Sequence, residues 1–314
     1  MKRLSILRTA CVFVFCAATA TASPAQVLTT LHSFGGSSTD CQSQPGCGSY
    51  PLAGLVQASD GNFYGTTEGS GGNNNCVSGC GTVFKITPSA TLTTLYRFCS
   101  QANCADGESP RAGLVQASDG NFYGTTENGG ANNCAPYYGC GTVFKITSSG
   151  ALTTLHSFAR SDGAYPGAGL VQASDGNFYG TTYVGGTNNY GTVFKITPQG
   201  TLTTLHSFDG SDGANPADGL LQASDGNFYG ATSYGGASND CYGGCGTVFK
   251  ITSSGTLTTL HSFAGSDGAN PPARLVQASD GNLYGTTYVG GADGRGTVFR
   301  LVTVRACAIC PSIE

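Results

Sequence analysis

The 314-residue sequence predicts an all-β fold, a five-bladed β-propeller of four-stranded antiparallel blades, on three observations. A unit recurs five times: "GTVFK" or "GTVFR" begins at Gly81, Gly141, Gly191, Gly246 and Gly296, at spacings of 60, 50, 55 and 50 residues. Each unit holds four short runs rich in β-branched and aromatic residues, separated by turn residues. These runs are apolar on both faces, so each sheet needs a neighbour on either side, which radial stacking supplies.

The third unit shows the elements in order. Its expected strands are "GLVQAS" (Gly169 to Ser174), "NFYGTT" (Asn177 to Thr182), "GTVFKIT" (Gly191 to Thr197) and "LTTLHSF" (Leu202 to Phe208). Asp175-Gly176 makes a tight hairpin turn between the first two, because glycine readily takes positive φ. Pro198-Gln199-Gly200 turns the third strand into the fourth. Strands joined this tightly are antiparallel, which argues against a parallel β-helix. In the third strand Phe194 and Ile196 point one way, and Val193 with the stem of Lys195 points the other. The ends then suggest closure. A lone fourth strand, Leu28 to Phe34, precedes the first unit, and the last unit stops after its third strand, Gly296 to Val302. The expectation is a ring closed by strand 28–34 completing the last blade, with the propeller spanning 27–302 and a tail at 303–314.

Ahead of this array, Lys2, Arg3 and Arg8 precede an apolar run from Ala10 to Ala18, and Ala20 and Ala22 offer a small-residue cleavage point. Residues 1–22 therefore read as a signal peptide that is removed, too short for a stable membrane span. No second apolar run of about 20 residues follows, so no membrane insertion is expected. Formal charge is −4; removing the three leader cations leaves 11 bases against 18 acids, or −7. With no basic cluster, a nucleic-acid partner is not expected. Charged residues are 10% of the chain, against roughly 25% in an average domain. A surface of Ser, Thr, Asn, Gln and Gly suits an extracellular protein.

The pattern "GLVQASDGNFYGTT…GG…GTVFKIT..G.LTTLHSF" resembles the GloVer tandem repeat of bacterial "choice-of-anchor" secreted proteins, over nearly the whole expected mature chain. The resemblance implies secretion or surface display and no enzymatic activity, and it brings no catalytic residues. This sequence shows no recognisable anchor segment, which favours release.

Twelve cysteines follow the leader, in close pairs: Cys41/Cys47, Cys76/Cys80, Cys99/Cys104, Cys134/Cys140, Cys241/Cys245 and Cys307/Cys310. An even count in an exported chain reads as disulfides. Loop lengths support local pairing. From the second Thr of "YGTT" to the "GTVF" glycine is 9 positions in units three and five, and 14, 15 and 14 in the cysteine-bearing units one, two and four. Zinc is the rival reading, but it needs four converging ligands and these pairs sit in separate units, so no metal or other cofactor is expected. Five of the pairs fall on one face of the propeller, and four of those lie on or beside units one and two. The insert "NNCAPYYGC" there offers Tyr137 and Tyr138 beside Asn132 and Asn133, residue types that stack on sugars and bond to them. A plain polar loop is the equal alternative.

The repeated acids read as structural. Asp60, Asp119, Asp175, Asp225 and Asp280 precede the turn glycine and bond the local backbone. Asp106, Asp162, Asp212 and Asp267 fold the loops of the opposite face. His32, His156, His206 and His261, with Tyr96 in the equivalent place, read as half-buried packing residues on the strand face of Leu202 and Phe208. A glycoside hydrolase would need a close, unequal carboxylate pair that breaks the repeat. The unrepeated acids Asp40, Asp209, Asp218, Asp240, Asp293, Glu108 and Glu314 are scattered. The expectation is a secreted, monomeric, non-catalytic repeat protein that binds an extracellular glycan or cell-surface polymer. A purely structural or display repeat is the first alternative, and a carbohydrate-active enzyme the second.

Overall fold

The computed structural model describes residues 26–35, 48–70, 79–134 and 139–303. The expected signal peptide (residues 1–22), Cys41, Cys47, Cys76, Tyr137, Tyr138, Cys307 and Cys310 lie outside them. Residues 1–31 and 32–314 form separate compact units. Within the first, the described residues 26–31 are exposed and hold no strand.

The second unit contains five antiparallel sheets, each from one repeat. Sheet one is β1 (Val56–Gln57), β2 (Phe63–Thr67), β3 (Thr82–Ile86) and β4 (Leu92–Arg97). Sheet two is β5 (Val115–Gln116), β6 (Phe122–Thr126), β7 (Thr142–Ile146) and β8 (Leu152–Ser157). Sheet three is β9 (Val171–Gln172), β10 (Phe178–Thr182), β11 (Thr192–Ile196) and β12 (Leu202–Ser207). Sheet four is β13 (Leu221–Gln222), β14 (Phe228–Thr232), β15 (Thr247–Ile251) and β16 (Leu257–Ser262). Sheet five has three strands, β17 (Val276–Gln277), β18 (Leu283–Thr286) and β19 (Val298–Leu301). The fold is thus all-β and propeller-like. Among the described residues no helix is long and apolar enough to cross a membrane.

Three features differ from the expected arrangement. The first strand of each unit is two residues long rather than six, because the residues before it turn away to meet the neighbouring repeat. A Cβ on Gly219 would lie 2.7 Å from the Gly169 carbonyl oxygen. Second, residues 28–34 form no strand and the fifth sheet lacks a fourth. Without it, Val298 is 81% exposed, whereas its counterparts Val83, Val143 and Val193 are fully buried. Third, the histidines lie on the other face of their strand from Leu202. The β11–β12 register shifts between Val193 and Phe194, so Phe194 faces Thr204 while Val193 faces His206. This bulge inserts one residue, Leu205, and reverses the alternation beyond it.

The core lies between successive sheets. Val193, Tyr179 and Phe208 of sheet three pack against Leu220, Phe228, Phe249 and Ile251 of sheet four, and the other three successive pairs repeat the arrangement. Tyr179 stacks on Phe228 at 4.0 Å, and Phe208 meets Phe249 edge-on at 5.3 Å. Gly180 makes room for this packing: a Cβ there would lie 2.6 Å from the Phe194 ring. Gln222 adds a polar tie by accepting from the Ser174 backbone N–H at 3.2 Å. Each interface is therefore written by the repeat itself, which is why near-identical units suffice to build the array.

Candidate functional site

The Asp-Gly turns hold their own strands together. Asp175 accepts hydrogen bonds from the backbone N–H of Asn177 (3.0 Å), the Asn177 amide (2.9 Å) and the Tyr179 hydroxyl (2.8 Å). Burial works against its charge, but these bonds hold the carboxyl below its usual range. Asp60, Asp119, Asp225 and Asp280 make the same three contacts. The second Asp set has partners that the sequence did not reveal. His206 Nε2 lies 2.6 Å from Asp212 Oδ2, and the His156–Asp162 and His261–Asp267 pairs match it. In the unit with tyrosine, the Tyr96 hydroxyl donates to Asp106. Both sets are thus engaged within their own repeat.

Disulfides join Cys99–Cys104, Cys134–Cys140 and Cys241–Cys245, and Cys80 is disulfide-bonded as well. One premise of the sequence reading changes here. The sulfurs of Cys80, Cys99 and Cys104 lie within 4.8 Å of one another, so Cys80 of one close pair sits beside the Cys99–Cys104 pair. Asn132 is committed to structure, since its amide donates to the carbonyls of Ser157 and Phe158, both at 3.1 Å. Asn133 is exposed.

The residues that do gather lie where the repeats differ. A cavity of about 580 Å³ is lined by the segments entering the first strand of all five repeats, from Leu52–Leu55 to Pro272 and Arg274. Arg111, Gly167 and Ala217 on its wall also line a smaller cavity of about 390 Å³ with Glu127, Tyr165, Tyr183 and Pro216. A third, of about 440 Å³, shares Arg111, Glu127, Tyr165 and Tyr183 and adds Asn128 and Val184. Glu127 follows β6, Arg111 precedes β5, Tyr165 and Gly167 precede β9, and Tyr183 follows β10.

Backbone bonds fix this basin. Ala164 and Val184 form a two-residue bridge, and the Tyr183 N–H donates to the Tyr165 carbonyl at 3.1 Å. The stapled loop of repeat two supports Tyr165 from behind: its hydroxyl donates to the Cys134 carbonyl and its N–H to the Cys140 carbonyl. Tyr165 sits at φ 59°, a left-handed backbone that disfavours a bulky residue. The corresponding residues of the other repeats, Tyr50, Ser109, Asn215 and Asn270, share it at φ 57°, 58°, 56° and 53°, so the conformation belongs to the repeat, and asparagine accepts it most readily.

Arg111 bridges two carboxylates, with Nε 3.1 Å from Glu68 Oε1 and Nη1 2.9 Å from Glu127 Oε2. Burial raises the Glu127 carboxyl above its usual range, Arg111 offsets part of that, and the charge of Glu68 adds to it. Tyr183 is raised by burial and by its neighbour Tyr234. Such a basin combines aromatic walls, a guanidinium and an incompletely solvated carboxyl, a set suited to orienting a small polar molecule. Sequence reasoning passed over Glu68, Glu127, Arg111, Tyr165, Gly167 and Tyr183. The available signal was the disagreement between repeats at those positions.

The Gloeobacter/Verrucomicrobia repeat matches residues 14–136 and 135–306. The chain belongs to the Gloeobacter/Verrucomicrobia repeat family. No curated protein matches this member of the family. Among solved structures, it is similar to a virginiamycin B lyase from Staphylococcus aureus, with TM-score 0.52 and 17% identity over 81% of this chain and 71% of that one. It is also similar to a streptogramin B lyase, with TM-score 0.50 and 16% identity over 80% and 68%. At these identities the likeness concerns the fold.

Proposed function

We propose that this family member is an exported, non-catalytic, monomeric repeat module that binds a polyhydroxylated ligand, a glycan, in the basin around Glu127. One observation carries the reading: positions that vary between repeats converge there, while the invariant residues are spent on turns and interfaces. Elsewhere the position of Glu127 holds Glu68, Tyr183, Ser233 and Tyr288, and that of Gly167 holds Leu52, Arg111, Ala217 and Pro272. Tyr165 and Tyr183 supply ring faces for the C–H face of a sugar, and Arg111, Glu127 and Asn128 supply donors and acceptors for its hydroxyls. Export is supported by the leader-like N-terminus and by the disulfides. The test is a glycan array followed by titration of any hit. One site per chain, lost in Gly167→Leu, is the expected result; five equivalent sites, or binding untouched by that variant, would refute it.

The Glu127 carboxyl, raised by burial and by Glu68, also favours a second reading, catalysis by a general acid. Turnover of a bound glycan, abolished in Glu127→Gln, would replace the binding reading with this one.

The fold proposal that accompanies this function is ring closure by residues 28–34. Phe34 meets Phe84 edge-on at 5.1 Å, as Phe98, Phe158, Phe208 and Phe263 at the ends of outer strands meet Phe144, Phe194, Phe249 and Phe299 of the following sheets. This contact supports reading Phe34 as an outer-strand residue of a sheet preceding sheet one. Carrying over the β15–β16 register, in which Val248 faces His261, sets His32 opposite Val298. A His32→Cys/Val298→Cys variant is expected to form an intramolecular disulfide; absence of the cross-link, or its appearance only between chains, would refute closure.

A further inference from the structure

The geometry points to a ligand that carries a primary ammonium, an amino sugar with its amine free, seated with that ammonium against Glu127 Oε1 between the rings of Tyr165 and Tyr183. This inference rests on the reading of the basin as a glycan site and narrows its ligand.

The two oxygens of Glu127 are in different situations. Oε2 accepts from Arg111 Nη1 at 2.9 Å. Oε1 faces the gap left by Gly167: a Cβ built there would have Oε1 as its nearest heavy atom, at 4.0 Å. Gly167 has no positive φ, so the backbone does not demand glycine and its consequence is the open space. A carboxylate that grips a sugar diol uses both oxygens, and here one is already held. The remaining oxygen suits a compact donor, and an ammonium offers three N–H groups on one small centre.

Charge agrees with this. The charged groups acting on Glu127 are Arg111 and Glu68. Arg111 divides its single charge between two carboxylates, so the trio sums to −1 when all are ionised. The same shortage of positive partners accompanies the burial that lifts the Glu127 carboxyl. An anionic sugar would meet repulsion, a neutral hydroxyl would leave the carboxylate's desolvation largely uncompensated, and an ammonium would offset it. Tyr165 and Tyr183 at the cavity wall offer their faces to the cation as well as to the sugar ring.

The experiment titrates the oxidised protein, at about pH 6, with three oligomers of equal length: β-linked glucosamine with free amines, its N-acetylated form, and β-linked glucose. The free-amine oligomer is expected to bind about tenfold more tightly than either other, the order of one charge-assisted contact. Glu127→Gln, which keeps the shape and a carbonyl acceptor, should remove that preference, and Gly167→Leu should remove binding altogether. Equal or tighter binding of the acetylated or neutral oligomer, lost in Gly167→Leu, would leave the glycan site standing and overturn the ammonium. Free-amine binding that survives Gly167→Leu would be general attraction to an acidic surface and would overturn the assignment. If none of the three binds, the basin reading and this inference fall together.

Discussion

Replacing Asp175 with alanine tests whether the recurrent Asp-Gly turn is a structural joint. The substitution removes three hydrogen bonds at once: from the Asn177 N–H, the Asn177 amide and the Tyr179 hydroxyl. The first two lie at the surface, where water replaces them, so each is worth about 0.5 kcal/mol. The third comes from a tyrosine with no residual exposure, and its loss costs about 1 kcal/mol. The expected destabilisation is about 2 kcal/mol. Tyr179→Phe should cost about 1 kcal/mol, and a double-mutant cycle should return a coupling of about 1 kcal/mol between the two residues. The assay is urea unfolding followed by circular dichroism and tyrosine fluorescence. A coupling near zero, or no loss of stability in Asp175→Ala, would refute the reasoning.

Two further outcomes follow from the same joints. Gly180→Ala places a methyl 2.6 Å from the Phe194 ring and should destabilise by about 1–3 kcal/mol through overpacking. Gly176→Ala meets nothing within 4 Å and carries only the penalty of φ 81°, about 1 kcal/mol; urea midpoints in the reverse order would overturn both accounts. Acid should unfold the protein through the turn carboxyls. Asp119, Asp175 and Asp225 have folded pKa values below their unfolded ones. Their stabilisation is therefore complete above the unfolded value near 4 and is lost progressively as pH falls from there through their lower folded values. Melting temperature measured against pH should drop steeply below about pH 4, and a flat profile there would count against this role.

The scaffold was readable because its information is local and repeated. "SDGN" specifies a turn within four residues, and Val193 and Phe194 point to opposite interfaces by simple alternation. The histidines were misplaced because a one-residue bulge at Leu205 reverses parity, and nothing in "LTTLHSF" marks where that residue enters the ladder. The basin was harder to see for another reason. Glu127, Arg111, Gly167 and Tyr183 come from two repeats and meet only because successive entry segments crowd around one cavity. Glu68 and Glu127 hold equivalent positions in adjacent repeats and therefore pass for part of the repeat. The stapled loop of repeat two did draw the eye, and its Cys134 and Cys140 carbonyls do hold Tyr165, but the loop supports the basin from outside.

The stacked Tyr–Phe contacts between sheets bear on how such a gene can change. Tyr64–Phe122, Tyr123–Phe178 and Tyr179–Phe228 are one junction written three times, at 4.1, 4.0 and 4.0 Å. Recombination that gained or lost a unit in register would bring together the same Tyr and Phe partners at each surviving junction between neighbours. Loss of the second or third unit would nevertheless erase Glu127 and Arg111, or Tyr165, Gly167 and Tyr183, at a stroke. Units four and five are interchangeable masonry in that sense, whereas units one, two and three, with Glu68, Arg111, Glu127, Gly167 and Tyr183, hold an inheritance that duplication alone cannot restore.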